Sequence, residues 1–419
     1  MAHVLDTLRE RGFIAQVTDE EALRKRLDAG PVTFYLGIDP TGKSLHAGHM
    51  VPLYMMTHLA AAGHQAIALM GGGTARIGDP SGKTEMRRML SVEQINTNAE
   101  SALEQVEAFL SVKGTEARMV NNADWLAELN YIEFLRDIGR HFSVNRMLSF
   151  ESYKMRLETG LSFIEFNYQL LQSFDFLELH RMYGCDLQIG GDDQWGNIVA
   201  GADLIRRVTG DETFGLTCPL VTRADGKKMG KTEKGAVFLD PELFSPYEFF
   251  QYWRNVPDSD VEKFLLLYTF LPVEECRELG SLEDREINRA KERLAYELTK
   301  IVHGETEAEK AIDASKAAFG AGAGGGPAGD RSAIPSVELS PAVLEEGIGV
   351  LDLFTSTELC NSKGEARRLV QQGGARINEK KIVDIDAVID AGWVEEGELL
   401  LRAGKKRYFR VGLASGASS

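Results

Sequence analysis

The strongest constraint on this chain is an alternation. Short apolar runs end in loops rich in glycine and aspartate, and each run is joined to the next by a segment long enough for a helix. Thr33-Phe34-Tyr35-Leu36-Gly37-Ile38 is fit for a buried strand, and a loop runs from Asp39 to His46. Met50 to Ala62 is apolar and helix-prone, and Gly63 can end it. Gln65 to Met70 reads as a second strand, closed by Gly71-Gly72-Gly73. Ser91 to Leu110 has helical spacing, Leu161 to Tyr183 is a further helix, and Asp186 to Ile189 is a strand ending in Gly190-Gly191. Strand, crossover helix and strand imply an α/β fold with a parallel sheet. Ligands in such sheets sit at the carboxyl ends of the strands. The loops after Ile38, Met70 and Ile189 should therefore face one crevice.

The chain is 419 residues long, enough for two or three domains. With 43% apolar and 26% charged residues it reads as soluble and globular, which excludes a largely disordered chain. Its 47 basic and 63 acidic side chains leave a net charge of −16. Such a chain does not coat nucleic acid by bulk charge, so any RNA contact needs a local basic patch. Charge is unevenly spread: from Leu351 onward 11 basic residues face 10 acidic ones, while the rest holds 36 against 53. Before that tail, Gly320 to Gly329 contains six glycines and one proline, the composition of a flexible linker. No period of repeats is visible. Cys185, Cys218, Cys276 and Cys360 show no C-x-x-C spacing and read as reduced thiols of a cytoplasmic protein, without a zinc site or a disulfide framework. The first twenty residues are charged and mixed, unlike a signal peptide. No apolar run approaches the roughly 20 residues of a membrane helix, so no membrane partner is expected.

Gly37-Ile38-Asp39-Pro40-Thr41-Gly42-Lys43-Ser44 fits the G-x-x-x-x-G-K-[ST] pattern between a strand and a helix. The physics disfavours a phosphate cradle. Such a loop points consecutive N–H groups at the anion. Pro40 has none, and Asp39 would place a carboxylate there. His46-Ala47-Gly48-His49 puts two imidazoles three residues apart at a helix entry, a set suited to anions. Lys228-Met229-Gly230-Lys231-Thr232 places two lysines three apart in a glycine-punctuated loop, suited to developing pyrophosphate charge. Either feature alone is matched by a bland reading, an incidental loop pair or a solvated basic turn.

Together, HAGH and KMGKT resemble the paired signatures HIGH and KMSKS of class I aminoacyl-tRNA synthetases. Four more segments narrow the resemblance to the bacterial tyrosyl-tRNA synthetases: Tyr35 to Thr41, Gly78 to Lys83, His141 to Asn145, and Gln188 to Asn197. The similarity runs through most of the chain. Ala47 stands where the pattern has Ile, and Asp192 where it has Ser. The resemblance implies a Rossmann-like parallel-sheet catalytic domain over 1–225, a helical domain with the KMSKS loop over 226–319, the linker over 320–336, and a small α+β S4-like RNA-binding domain over 337–419. It implies tyrosine, ATP and tRNA(Tyr) as substrates, Mg²⁺ accompanying ATP without a protein metal site, and a homodimer. Tryptophan and a P-loop NTPase using Lys43 are the rival readings, as is a catalytically silent RNA-binding protein.

Tyr168, Gln172 and Asp175 fall at i, i+4 and i+7 on a largely apolar helix, a polar stripe fit to line a buried cavity. The resemblance implies that Tyr168, Gln172 and Asp79 hold the substrate ammonium, and that Tyr35 and Asp175 bond its phenol. Thr41 and His46 would meet the pyrophosphate end, His49 and Asp193 the ribose, and Gln194 the tyrosyl group. Gly37, Asp39 and Gly191 would line the adenylate. Lys228, Lys231 and Thr232 would close over the leaving group.

In the tail, Ser362-Lys363-Gly364-Glu365 reads as a capping box opening a helix with Lys363, Arg367 and Arg368. Gly373-Gly374 breaks it, Ala375 to Ile382 reads as a hairpin, and Lys405-Lys406-Arg407 adds a second basic cluster. Clustering on a nearly neutral tail favours phosphate contact. Arg206 and Arg207 are further candidates for RNA, with a salt-bridged surface helix as the alternative.

Overall fold

The computed structural model describes residues 3–81, 89–222, 224, 229–232, 235–320, 334–357, 359–395, 397–404 and 407–413. Contacts divide the chain into two compact units, one of Met1–Phe244 with Tyr252–Val302, the other of Ser245–Gln251 with His303–Ser419.

The first unit is built on a six-stranded sheet. Its strands are β1 (Gln16–Val17), β2 (Thr33–Ile38), β3 (Gln65–Met70), β4 (Ala117–Asn121), β5 (Cys185–Gly191) and β6 (Phe214–Cys218), in the order β1-β6-β5-β2-β3-β4. Only β1 is antiparallel to its neighbour. Parallel strands need crossovers. Four helices matter most here: α1 (Met50–Ala61), α2 (Val92–Ser111), α3 (Phe163–Tyr183) and α4 (Trp195–Val208). The two central strands β2 and β3 are apolar along nearly their whole length, as strands covered on both faces must be. Strand order reverses between β2 and β5, so the ligand crevice of this sheet opens there.

Helix α3 begins where it does because Ser162 accepts from the Glu165 N–H while Glu165 accepts from the Ser162 N–H, a reciprocal box. The same Glu165 forms a buried pair with Arg156 at 2.8 Å, and Ser162 Oγ bonds it at 2.7 Å. Arg11 is buried beyond the sheet. Its guanidinium donates to the carbonyls of Leu266 and Thr269 at 3.0 Å each, and to Leu271, which satisfies the open end of the helix Val261–Tyr268. The four cysteines are buried free thiols. Among the described residues no helix is long and apolar enough to cross a membrane.

Strands β1, β4 and β6 were not legible in the sequence. Ala117–Asn121 has its apolar residues interrupted by Arg118 and lies half-exposed at the sheet edge, so it lacks the buried-strand pattern of β2 and β3.

The second unit contains a five-stranded sheet in the order Lys380–Lys381, Ala375–Ile377, Glu398–Ala403, Arg407–Leu413, Ser336–Leu339. Its core joins Leu353, Phe354, Val370, Ile377, Leu399, Leu401 and Val411. The expected hairpin after Gly373-Gly374 is present. Asn378 and Glu379 turn it with φ of 47° and 63°, as a two-residue primed turn demands. The helix Lys363–Gln371 is capped by Ser362, but the expected reciprocal box is not formed. Glu365 instead accepts from the Asn361 N–H at 2.8 Å, one residue earlier.

Candidate active site

The loops that leave β2, β3 and β5 meet in the crevice. Asp39, half-buried just past β2, accepts from the Thr74 hydroxyl at 2.7 Å and from the Tyr168 phenol at 2.9 Å. The close approach requires Gly71: a Cβ there would lie 1.9 Å from Asp39 Oδ1. These bonds also dispose of the phosphate-cradle reading of the first loop. The Asp39 carboxylate is part of the crevice wall. The Ser44 hydroxyl is buried, donating to its neighbour's carbonyl at 2.7 Å and accepting from the Asp240 N–H at 3.1 Å.

One end of the crevice is dry. Asp175, 2% exposed, accepts from Asn122 Nδ2 at 2.9 Å and Trp125 Nε1 at 2.8 Å. Burial pushes its carboxyl up to about 8, overriding the two donors that favour the charged form. Tyr35, 1% exposed, packs against Phe176, and its hydroxyl is buried without a hydrogen-bond partner among the described residues. Burial first, then the Asp175 charge, holds this phenol well above its ordinary pKa. An unsatisfied buried hydroxyl costs about 1–3 kcal/mol, so a polar group placed beside it would be favoured.

A chain of amides closes the next segment. Asn197 Nδ2 donates to Gln172 Oε1 at 2.9 Å and to Gln194 Oε1 at 3.1 Å, and Gln194 Nε2 donates to Asp79 Oδ2 at 2.8 Å. Asp79 Oδ1 accepts from the Ser81 N–H at 2.9 Å. Asp79, Gln172 and Gln194, expected on three separate segments, are thus linked. Tyr168 bonds to Asp39, and burial raises its phenol far above the usual value, with Asp39 and Asp79 adding to the shift.

The other end holds the imidazoles. His46 and His49 stack with ring centroids 3.9 Å apart. His46 Nδ1 accepts from the Gly48 N–H at 3.0 Å, and His49 Nδ1 accepts from the His46 N–H at 3.1 Å. With both Nδ1 atoms accepting, the neutral rings carry their protons on Nε2. They are then donors, the form that suits phosphate oxygens. Thr41 is half-buried and Gly37 exposed at the same mouth. Gly191 and Asp193 flank the turn after β5, both half-buried. Asp192 turns aside: its Oδ1 accepts from Gln16 Nε2 at 2.7 Å and from the Thr217 hydroxyl at 3.0 Å.

Lys228, Lys405 and Lys406 lie outside the described residues. Lys231 and Thr232 are described as backbone, in a two-residue strand paired with Gly235–Ala236. Arg206 is paired with Asp203 at 3.0 Å on α4, and Arg207 donates to the His141 carbonyl. In the tail, Arg367 and Arg368 are exposed, Lys363 is paired with Asp352 at 2.5 Å, and Arg407 with Glu365 at 3.6 Å.

Four residues at the site escaped the sequence reading of roles: Thr74, Asn122, Trp125 and Asn197. Asn122 and Trp125 follow β4, the strand without a clear pattern. Asn197 stands inside the quoted Gln188–Asn197 segment, and its place three residues after Gln194 on a helix entry was the available signal.

A parallel sheet with its crevice at the β2–β5 reversal, two imidazoles at one end and a buried carboxyl at the other, fits the class I synthetase that the resemblance implies. Comparison with known proteins agrees. Residues 27–320 match the family described as tRNA synthetases class I (W and Y), and residues 329–411 match the tyrosine--tRNA ligase SYY-like C-terminal domain. The tyrosine--tRNA ligase of Treponema denticola is 59% identical over 412 residues, covering 98% of this chain and 99% of that protein. That of Treponema pallidum is 56% identical over 412 residues, covering 98% of each. The crystal structure of a C-terminally truncated mitochondrial tyrosyl-tRNA synthetase from Aspergillus nidulans superposes with a TM-score of 0.68 at 29% identity, over 76% of this chain and 95% of that one. The chain belongs to the class I tRNA synthetase family, among its tyrosine--tRNA ligases.

Proposed function

We infer that this chain is an enzyme that joins L-tyrosine to the 3′ end of its cognate tRNA(Tyr) at the expense of ATP. The observation that carries the choice of amino acid is the unpartnered, buried Tyr35 hydroxyl close to Asp175. A para-hydroxyl entering that end supplies the missing partner. A phenyl ring leaves the orphan unsatisfied, and an indole brings no hydroxyl to it.

In the proposed first step a tyrosine carboxylate oxygen attacks the α-phosphorus of ATP. The bond from that phosphorus to the bridging oxygen breaks, and pyrophosphate leaves. In the second step a ribose hydroxyl of the tRNA terminus attacks the activated carbonyl and AMP leaves. Neither step needs a covalent bond to the protein, so the chain contributes position and charge. Asp79, Tyr168 and Gln172 hold the ammonium, and Gln194 orients the tyrosyl group. Gly37, Asp39, Gly191, His49 and Asp193 hold the adenosine and ribose. Thr41 and His46 donate to the phosphates, with Lys228, Lys231 and Thr232 over the leaving group. Mg²⁺ enters as part of the substrate nucleotide.

The tail is proposed as an S4-like module that meets tRNA phosphates through Lys363, Arg367, Arg368, Lys405, Lys406 and Arg407. Arg206 and Arg207 on α4 are proposed as further tRNA contacts. The divisions near 225, 319 and 336 are proposed as functional boundaries. A homodimer is supported by large apolar side chains left exposed between Tyr131 and Phe163, among them Ile132 at 71% and Phe163 at 72%. The cytoplasm is the proposed compartment. The test is ATP–pyrophosphate exchange with each of the twenty amino acids. Exchange with tyrosine, and none above background with phenylalanine or tryptophan, is expected; equal exchange with phenylalanine would overturn the reading.

A further inference from the structure

The segment that carries the second lysine packs against the imidazole turn, and its glycine is held by a phenol for which the proposed reaction has no use. Gly230 adopts φ of 80°, and a Cβ on it would lie 2.7 Å from the Gly48 nitrogen and 3.4 Å from Ala47. The two turns are therefore in backbone contact. The contact is bracketed by bonds. Ala47 N–H donates to the Val237 carbonyl at 2.8 Å, Val237 N–H donates to the Gly230 carbonyl at 2.9 Å, and Leu239 N–H donates to the Leu45 carbonyl at 2.9 Å. The Gly230 N–H donates to the Tyr252 hydroxyl at 3.1 Å, and that hydroxyl lies 3.4 Å from Met229 Sδ. Tyr252 is 9% exposed, and its ring meets Trp253 edge-on. A left-handed turn has few backbone bonds of its own, so one buried acceptor on its N–H decides how firmly it keeps that shape.

We propose that Tyr252 is a positioning residue for activation. Its hydroxyl holds the Met229–Gly230 turn in the conformation that lays the backbone of Lys231 beside the His46–His49 turn. Tyr252 touches no substrate in this arrangement; it acts through Gly230. The proposal rests on the assignment of Lys231 to the departing pyrophosphate.

Tyr252→Phe tests it, because the ring stays and only the acceptor is removed. The expected result is a 5- to 30-fold lower kcat for tyrosine-dependent pyrophosphate exchange, the scale of about 1–2 kcal/mol for one hydrogen bond. The KM for tyrosine and the thermal midpoint should stay near those of the parent. Hydrogen exchange at the Gly230 amide should speed up, a readout independent of activity. The second variant is Tyr252→Phe combined with Lys231→Ala. If Tyr252 works by placing Lys231, the double variant should be no slower than Lys231→Ala alone. Additive losses would overturn the proposal. So would an unchanged kcat, unchanged exchange at Gly230, or a fall in kcat matched by a fall in the thermal midpoint and a rise in tyrosine KM. Should the parent protein show no tyrosine-dependent exchange, the proposed function falls instead, and the amide measurement still decides whether Tyr252 holds the turn.

Discussion

At the Tyr35 end of the crevice Tyr35 and Asp175 are buried and Asp175 is held by side-chain bonds; at the His46 end the imidazoles are half-buried and held by backbone bonds within the loop. The first end rests on sheet and helix. Tyr35 lies mid-strand on β2, Asp175 lies within α3, and Asn122 and Trp125 clamp its two oxygens. The second end is assembled from turns: Asp39 to His46, Gly48, and Gly230. The difference fits the tasks proposed for the two ends. Selecting tyrosine over phenylalanine needs a rigid, dry site in which one absent hydroxyl leaves an unpaired group. Moving an adenylyl group needs donors that meet the charge developing on the departing pyrophosphate, and that group must enter and leave.

The comparison breaks most visibly at the nucleotide end. His46→Ala removes the donor proposed to meet the phosphates and should lower kcat for exchange by roughly 10²–10³, with tyrosine affinity nearly unchanged. Steady-state kinetics beside equilibrium tyrosine binding checks this, and a matching loss of tyrosine affinity would show that the two ends are not separate.

The Asp175 end should give the next largest effect. Asp175→Asn keeps the shape but changes which atoms accept and donate beside Tyr35, Asn122 and Trp125. Tyrosine kcat/KM should fall by about 10- to 100-fold, from 1–3 kcal/mol of mispaired buried polar groups, while phenylalanine changes much less. Measuring kcat/KM for both amino acids tests it. An unchanged ratio would remove Asp175 from phenol recognition.

The smallest effect sharpens the comparison through pH. An Asp with a native pKa of about 8, against an ordinary 3.8, holds a proton that the unfolded chain has already released. Between those values the native state binds more protons, so its contribution to stability is full below about pH 4 and is lost as pH rises through 8. The thermal midpoint of the free protein should therefore fall from pH 5.5 to 8.5 more steeply than that of Asp175→Asn. The difference is read at roughly 2–4 °C for each kcal/mol. Parallel slopes would show that Asp175 is ionised in the free protein.

Much of this was readable one residue after another. The runs Thr33–Ile38 and Gln65–Met70 could only be covered strands, their glycine and aspartate endings marked the crevice, and Tyr168, Gln172 and Asp175 had to share one helix face. Periodicity and turn chemistry are local, so a linear string carries them. Strand order, the weakly apolar strand Ala117–Asn121, the clamp of Asn122 and Trp125 on Asp175, the sideways bond of Asp192 to Gln16 and Thr217, and the seat of Gly230 on Gly48 are another matter. Gln16 and Asp192 are separated by 176 residues, and Asn122 and Asp175 by 53. Hydrogen bonds across such separations depend on where the sheet sets its strand ends in space. No spacing or propensity along the chain encodes that, which is why the residue types of the site could be named beforehand while their partners appeared only once the sheet was assembled.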